Sequence, residues 1–427
     1  MTTRSIVRKM WMILAAGAFC AQAIGAASAQ NRQFTLKDGD TVVFYGDSIT
    51  AQRLYTRYVE DFLLTRYPTL HFRFVNAGVP GDSVRGGYAG TMEERVRRDV
   101  APFRPTMITV MLGMNDGGWG TGSEQIDAAF QKGYRALLDE LQKASPGASI
   151  TLIGCTPYDE ITHGTEFPGY SHVVARNADD VSSIGAQLQA SGRKNILLAD
   201  FHHPLTEALE RAKTQFPQLA PLMVPDRIHP AETGHWIMAA ALVSAWHVDP
   251  IVSSLALNAS SAQVIDSDRT KVAQIEKAKD GLSWTQLDEA LPLPLDFNNA
   301  MTPLLLHISE IERVDRQILR IDALEGERYQ LLIDDKPIAR FTREELRNGV
   351  NLALYRTPML DQARGIAGME DQRATLDQAR FMLSADIKPA ETSALAEARL
   401  RQAQEELDTS MRHDLLPQPH HFELRRQ

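Results

Sequence analysis

Between residue 41 and about residue 246, short runs of β-branched residues alternate with longer stretches in which apolar positions recur every three to four residues. The short runs predict strands at Thr41–Tyr45, His71–Val75, Thr106–Leu112, Ser149–Gly154 and Asn195–Asp200. The longer ones predict helices at about 52–67, 90–99, 123–144, 172–191, 205–214 and 232–246. The clearest follows Ser123: Ile126, Phe130, Leu137, Leu138 and Leu141 keep helical spacing, and Pro146-Gly147 ends it. Strand and helix in alternation imply βαβ units on a parallel sheet, hence a doubly wound α/β core.

Beyond Trp246 the pattern changes. Residues 251–300 read as helical, with a proline-containing stretch at Leu291-Pro292-Leu293-Pro294. Ile318–Ile321, Tyr329–Ile333 and Pro337–Phe341 alternate around Gly326 and Asp334-Asp335 and predict a small antiparallel unit. Thr342 and Glu345 form a capping box that opens a helix, and a charged helical stretch from about 370 to 411 breaks near Lys388-Pro389. Leu346, Val350, Leu352, Leu360, Phe381 and Leu383 need a surface to bury against, and no Gly/Ser or Pro-rich tether precedes them. The expectation is a domain of residues 30–250 carrying a docked C-terminal α+β appendage, residues 251–427.

The first residues stand outside this scheme. Arg4, Arg8 and Lys9 precede an apolar, small-residue stretch that ends in Ala27-Ser28-Ala29, the pattern of a cleavable signal peptide over residues 1–29. A periplasmic or secreted protein is expected. Removing the leader takes away three basic and no acidic residues and moves the formal charge from -9 to -12. So acidic a chain is a poor partner for nucleic acid or an anionic membrane surface, and no later run is long and apolar enough for membrane insertion. Only Cys155 remains after the leader, which excludes an intramolecular disulfide.

In a doubly wound sheet, ligands meet the carboxyl ends of the strands. The residues there are Gly46-Asp47-Ser48, Asn76 to Gly81, Gly113-Met114-Asn115-Asp116 and Thr156-Pro157-Tyr158-Asp159. Ser48 follows a strand and precedes a helix, where it serves either as a cap or as an exposed nucleophile. A hydroxyl nucleophile needs a base held in the right tautomer by a third group. Asp226-Arg227-Ile228-His229 offers that pair on one short loop between Pro225 and Pro230, though an isolated D-x-x-H also fits a surface aspartate and a structural histidine. Acyl transfer also needs donors aimed at an oxyanion. The backbone N–H groups of Gly81 and Ser48 and the Asn115 amide are the candidates, and Gly81 and Asn115 are equally ordinary turn residues when each is taken alone.

Together the four blocks resemble the SGNH, or GDSL-type, hydrolase family over roughly residues 41–246. Gly46-Asp47-Ser48-Ile49 is similar to its first block, Gly81 to its second, Gly113-Met114-Asn115-Asp116 to its third and Asp226-Arg227-Ile228-His229 to its last. The resemblance implies a three-layer α/β/α fold, ester hydrolysis through an acyl-serine, and no metal or organic cofactor. It assigns Ser48 as nucleophile, His229 as base, Asp226 as orienting carboxylate, and Ser48, Gly81 and Asn115 as oxyanion donors.

Cys155 has no paired histidine motif, and His202-His203 has no further ligand at metal spacing on its element, so both stay outside the site. Trp119, in Gly117-Gly118-Trp119-Gly120, is a candidate platform for a sugar face, with Tyr158 and Tyr170 on later loops. An O-acetyl ester on a carbohydrate is therefore the expected substrate. A lipid esterase or lysophospholipase of the same fold and a carbohydrate-binding protein that has kept the fold are the alternatives.

Overall fold

The computed structural model describes residues 34–278, 280–386 and 391–427, so the expected leader lies outside the described residues. Five strands, β1 (Thr41–Gly46), β2 (Arg73–Gly78), β3 (Met107–Met111), β4 (Ser149–Gly154) and β5 (Ile196–Asp200), form a parallel sheet in the order β2-β1-β3-β4-β5. Helices cover both faces, which is why β1 reads Val42-Val43-Phe44-Tyr45, all four fully buried β-branched or aromatic residues. Val43 and Tyr45 join Ile108, Val110, Ile150 and Leu152 in a core with α3 (Glu124–Ala144) and α4 (Tyr170–Ala190). Phe44 faces the other way, its ring 6.1 Å from that of Tyr55 on α2 (Leu54–Arg66). Tyr55 in turn meets Phe201, beside α5 (His202–Gln215), and stacks on His235 of α6 (Glu232–Ala245). This is the expected three-layer α/β/α arrangement, with the flavodoxin-like strand order.

The chain divides into two compact units that share it discontinuously. The first runs to Glu60 and resumes at Leu70–Val248 and again at Asn298–Ile311; the second takes Asp61–Thr69, Asp249–Phe297 and Glu312–Gln427. The first unit thus includes α7 (Thr302–Ile308), whose Leu304, Leu305 and Ile308 are buried and whose His307 packs edge-on against Phe216 at the end of α5. Asn299, just before it, hydrogen-bonds Glu232 of α6. A fragment of residues 30–250 lacks this cover. Each exposed aliphatic side chain costs about 1.5–3 kcal/mol, so the fragment should melt roughly 10 °C or more below the full chain. A calorimetric Tm equal to the full chain's would show that α7 contributes nothing to this core.

In the second unit the helical expectation for 251–300 is overturned. Residues 251–288 form β6 (Ile251–Asn258), β7 (Gln263–Asp268), β8 (Thr270–Ala278) and β9 (Gly281–Asp288). Every residue of β7 is exposed, so no alternation marks it as a strand. On β9 the alternation is present, but the inward set Leu282, Trp284, Gln286 and Asp288 is half polar. Those polar groups satisfy one another: Trp284 Nε1 donates to Gln286, and Gln286 and Gln317 both donate to Asp288. The predicted strands near 318, 329 and 337 are β10 (Arg316–Asp322), β11 (Arg328–Ile333) and β12 (Lys336–Thr342), but they do not form one antiparallel unit: β11 and β12 pair antiparallel, whereas β10 lies in another sheet, parallel to β6. The expected capping box follows at Thr342 and Glu345. Leu346, Val350 and Leu352 bury in this unit's own core, which meets the demand for a partner surface internally. The side chains of Phe381 and Leu383 lie outside the described residues.

Candidate active site

Gly46 of β1 is in register with Gly78 of β2 and Met111 of β3, so Ser48, Gly81 and Asn115 leave three adjacent strands at one edge of the sheet. Ser48 opens a four-residue helix, α1 (Ser48–Ala51), whose turn is fixed by Asp47 accepting the Ile49 N–H at 2.9 Å. A Cβ on Gly78 would collide with the backbone of Thr50 and Ala51. Glycine there lets α1 sit directly on the end of β2.

His229 reaches Ser48 from the loop before α6. Asp226 Oδ1 accepts the backbone N–H groups of Ile228 and His229 at 3.0 and 2.7 Å, and Oδ2 lies 2.7 Å from His229 Nδ1. On the far side of the ring, Nε2 is 2.7 Å from Ser48 Oγ. Once Nδ1–H is donated to the carboxylate, the neutral imidazole presents its Nε2 lone pair to the serine hydroxyl. Burial tends to raise the Asp226 carboxyl, but the backbone and imidazole hydrogen bonds of His229 and the Ile228 N–H outweigh it and hold the group below the usual carboxylate range. It is ionised at neutral pH, as an orienting group must be.

Gly81 sits at φ 73°, and a Cβ there would meet no atom within 4 Å. The glycine answers to its left-handed backbone. Asn115 is half-buried and gives one amide N–H to the Asp82 carbonyl at 2.9 Å. That bond fixes the side chain against the Gly81-Asp82 turn and leaves its second N–H free to donate.

Beneath these groups lie buried charges that the sequence reading missed. Arg95 is fully buried, ion-paired with Asp82, bonded to the Ala77 carbonyl and stacked 4.6 Å above Tyr45. It therefore anchors the turn that carries Gly81. Desolvation raises the Asp82 carboxyl to about 6 despite Arg95. Asp47 and Asp116, each with a carboxylate oxygen that has no hydrogen-bond partner among the described residues, are pushed up to about 7 by burial, and neighbouring carboxylates add to the effect. A carboxyl raised in the folded state weakens folding as pH climbs from the ordinary range near 4 to about 7, because only the unfolded chain ionises freely there. Asp47→Asn keeps the acceptor for Ile49 and removes this ionisation. The variant should match the parent's Tm most closely below about pH 4 and exceed it by a few degrees near pH 8; a Tm difference that does not change between these pH values would contradict the assignment.

The predicted aromatic residues do come together. Trp119, half-buried and held at φ 57°, stacks on Tyr170 at 4.8 Å and meets Phe167 at 5.5 Å and Tyr158 at 6.5 Å. Tyr158 and Tyr170 are buried and back the cluster, whereas Trp119 and Phe167 are half-buried. Phe167 had no sequence signal beyond its aromaticity. Cys155 is fully buried and burial drives its thiol well above the ordinary value. His202 turns to the Cys155 carbonyl and His203 to Asp200.

Residues 44–237 match the GDSL-like lipase/acylhydrolase family. Through this segment the chain belongs to the SGNH hydrolase family. Among its relatives, this SGNH hydrolase is 27% identical over 227 residues to an acetylxylan esterase of Geobacillus stearothermophilus, covering 48% of this chain and 93% of that one. A gut microbial diltiazem-metabolizing enzyme shares the fold over 92% of this chain and 98% of its own, with a TM-score of 0.72 at 22% identity. The SGNH hydrolase described here is thus a carboxylic ester hydrolase in class.

Proposed function

We propose that this hydrolase is an exported esterase that removes O-acetyl groups from carbohydrate through an acyl-serine intermediate. The observation that carries the reading is the continuous hydrogen-bonded line from Asp226 through His229 to Ser48 Oγ, both links at 2.7 Å. Ser48 Oγ attacks the acetyl carbonyl while its proton passes to His229 Nε2. Asp226 stabilises the imidazolium, and the N–H groups of Ser48, Gly81 and Asn115 receive the oxyanion. The tetrahedral adduct collapses as His229 returns the proton to the sugar oxygen that leaves. A water then repeats the sequence on the acetyl-serine, releasing acetate and restoring the hydroxyl.

The carbohydrate part of the reading is supported by Trp119, half-buried and stacked on an aromatic backing, and by the acetylxylan esterase among the relatives. Export is supported by the basic-apolar-small pattern of residues 1–29. Acetate release from acetylated xylan, xyloglucan, pectin and peptidoglycan, set beside p-nitrophenyl esters of rising chain length, tests the proposal. Acetate should be released from at least one polymer, with the short esters preferred. A preference for long acyl chains and no acetate from any polymer would favour a lipid esterase instead.

A further inference from the structure

Arg227 stands between Asp226 and His229 in a conformation that its side chain disfavours, at φ 71°. A non-glycine residue there stores strain that surrounding contacts must offset. Glycine would adopt the same backbone without that cost. Apart from its own N–H, which closes a turn onto the Val224 carbonyl, the contacts of Arg227 lead to one place. Its Nε donates to the Gly164 carbonyl at 2.9 Å, its guanidinium pairs with Glu166 at 2.9 Å, and its own carbonyl accepts the Asp159 N–H at 2.8 Å. His163 adds a second fastening, its Nε2–H directed to the Val224 carbonyl at 2.8 Å. The segment 159–167 is therefore tied along its length to the loop that carries Asp226 and His229. The same segment ends in Phe167, which packs on Trp119 and Tyr158.

We propose that Arg227 is a positioning residue: its guanidinium ties the 159–167 segment to the Asp226–His229 loop, so that the imidazole is held in line with Ser48 and the aromatic wall moves with it. The ion pair itself is too exposed to add much stability, with Arg227 at 26% and Glu166 at 57% side-chain exposure. Its value lies in geometry, because a shift of about 1 Å in a catalytic group can cost ~10²-fold in rate.

Arg227→Gly separates the two readings of this residue, given the hydrolytic role proposed for the triad. The variant relieves the backbone and removes the fastening. Its Tm should equal or exceed the parent's, while kcat on p-nitrophenyl acetate falls roughly 10- to 10²-fold with little change in KM. The downfield proton resonance of His229 Nδ1–H should shift or broaden, and Arg227→Lys, which keeps the charge opposite Glu166 but not the fork to Gly164, should recover part of the rate. Parent kcat in Arg227→Gly, or an unmoved resonance, overturns the proposal, and so does a rate loss matched by a fall in Tm. Should the parent hydrolyse no ester, the esterase reading fails, and the His229 resonance in Arg227→Gly still decides the positioning role.

Discussion

Ser48→Ala is expected to fold as the parent does and to lose about 10⁶-fold in kcat, the scale on which removal of a serine nucleophile acts in a complete triad. The side chain makes one hydrogen bond, to His229 Nε2, and the turn beneath it is held by Asp47 and by close packing at Gly78, neither of which the substitution touches. Stability should therefore stay within about 0.5 kcal/mol of the parent. Because nucleophile and base act as one unit, His229→Ala should cost a similar factor, and the double variant little more than either alone. A serine-reactive organophosphonate should label Ser48 in the parent and nothing in Ser48→Ala. An active Ser48→Ala protein, or labelling at another serine, would sink the nucleophile assignment.

The parts of this site that could be read in the sequence are those whose chemistry is local. Asp226 and His229 lie three residues apart, and one tight turn suffices to bring carboxylate, two backbone N–H groups and imidazole together. Ser48, Gly81 and Asn115 each follow a strand, and parallel register alone carries them to one edge. What stayed hidden depends on closure in three dimensions. Arg95 reads as one more charge in Glu93-Glu94-Arg95-Val96-Arg97-Arg98, yet folding buries it against Asp82 and Tyr45 while Arg98 stays exposed. Asp47 and Asp116 belong to motifs that suggest solvent-facing turns, and their raised pKa values follow from a burial that no local pattern signals.

The second unit shows the same limit on a larger scale. Strands such as Gln263–Asp268, exposed on both faces, carry no period of two, and the stretch reads as helical. The last strand, His420–Arg426, is basic and short, with only Phe422 and Leu424 buried. It nevertheless lies inside a five-stranded sheet, between Gly281–Asp288 and Arg328–Ile333. Its neighbours are remote in sequence, so pairing, and not local propensity, makes it a strand. The segment Asn298–Ile311 illustrates the converse, since an ordinary short helix is recruited to the first unit from far along the chain.

Asn115→Ala should lower kcat by about 10²–10³ and leave KM nearly unchanged, which is the signature of a donor that acts on the transition state alone. One amide N–H of Asn115 is already committed to the Asp82 carbonyl, so the side chain is pre-aligned and reorganises little when charge develops on the substrate oxygen. The substitution also removes that anchoring bond, and the change in stability measures the second role separately: a neutral hydrogen bond contributes on the order of 1 kcal/mol. Asn115→Asp sharpens the test, since an aspartate places a carboxylate where the oxyanion must form. It should be at least as inactive as alanine at neutral pH. If Asn115→Ala instead raised KM at constant kcat, the amide would be binding ground-state substrate, and the oxyanion would have to be held by the backbone N–H groups of Ser48 and Gly81 alone.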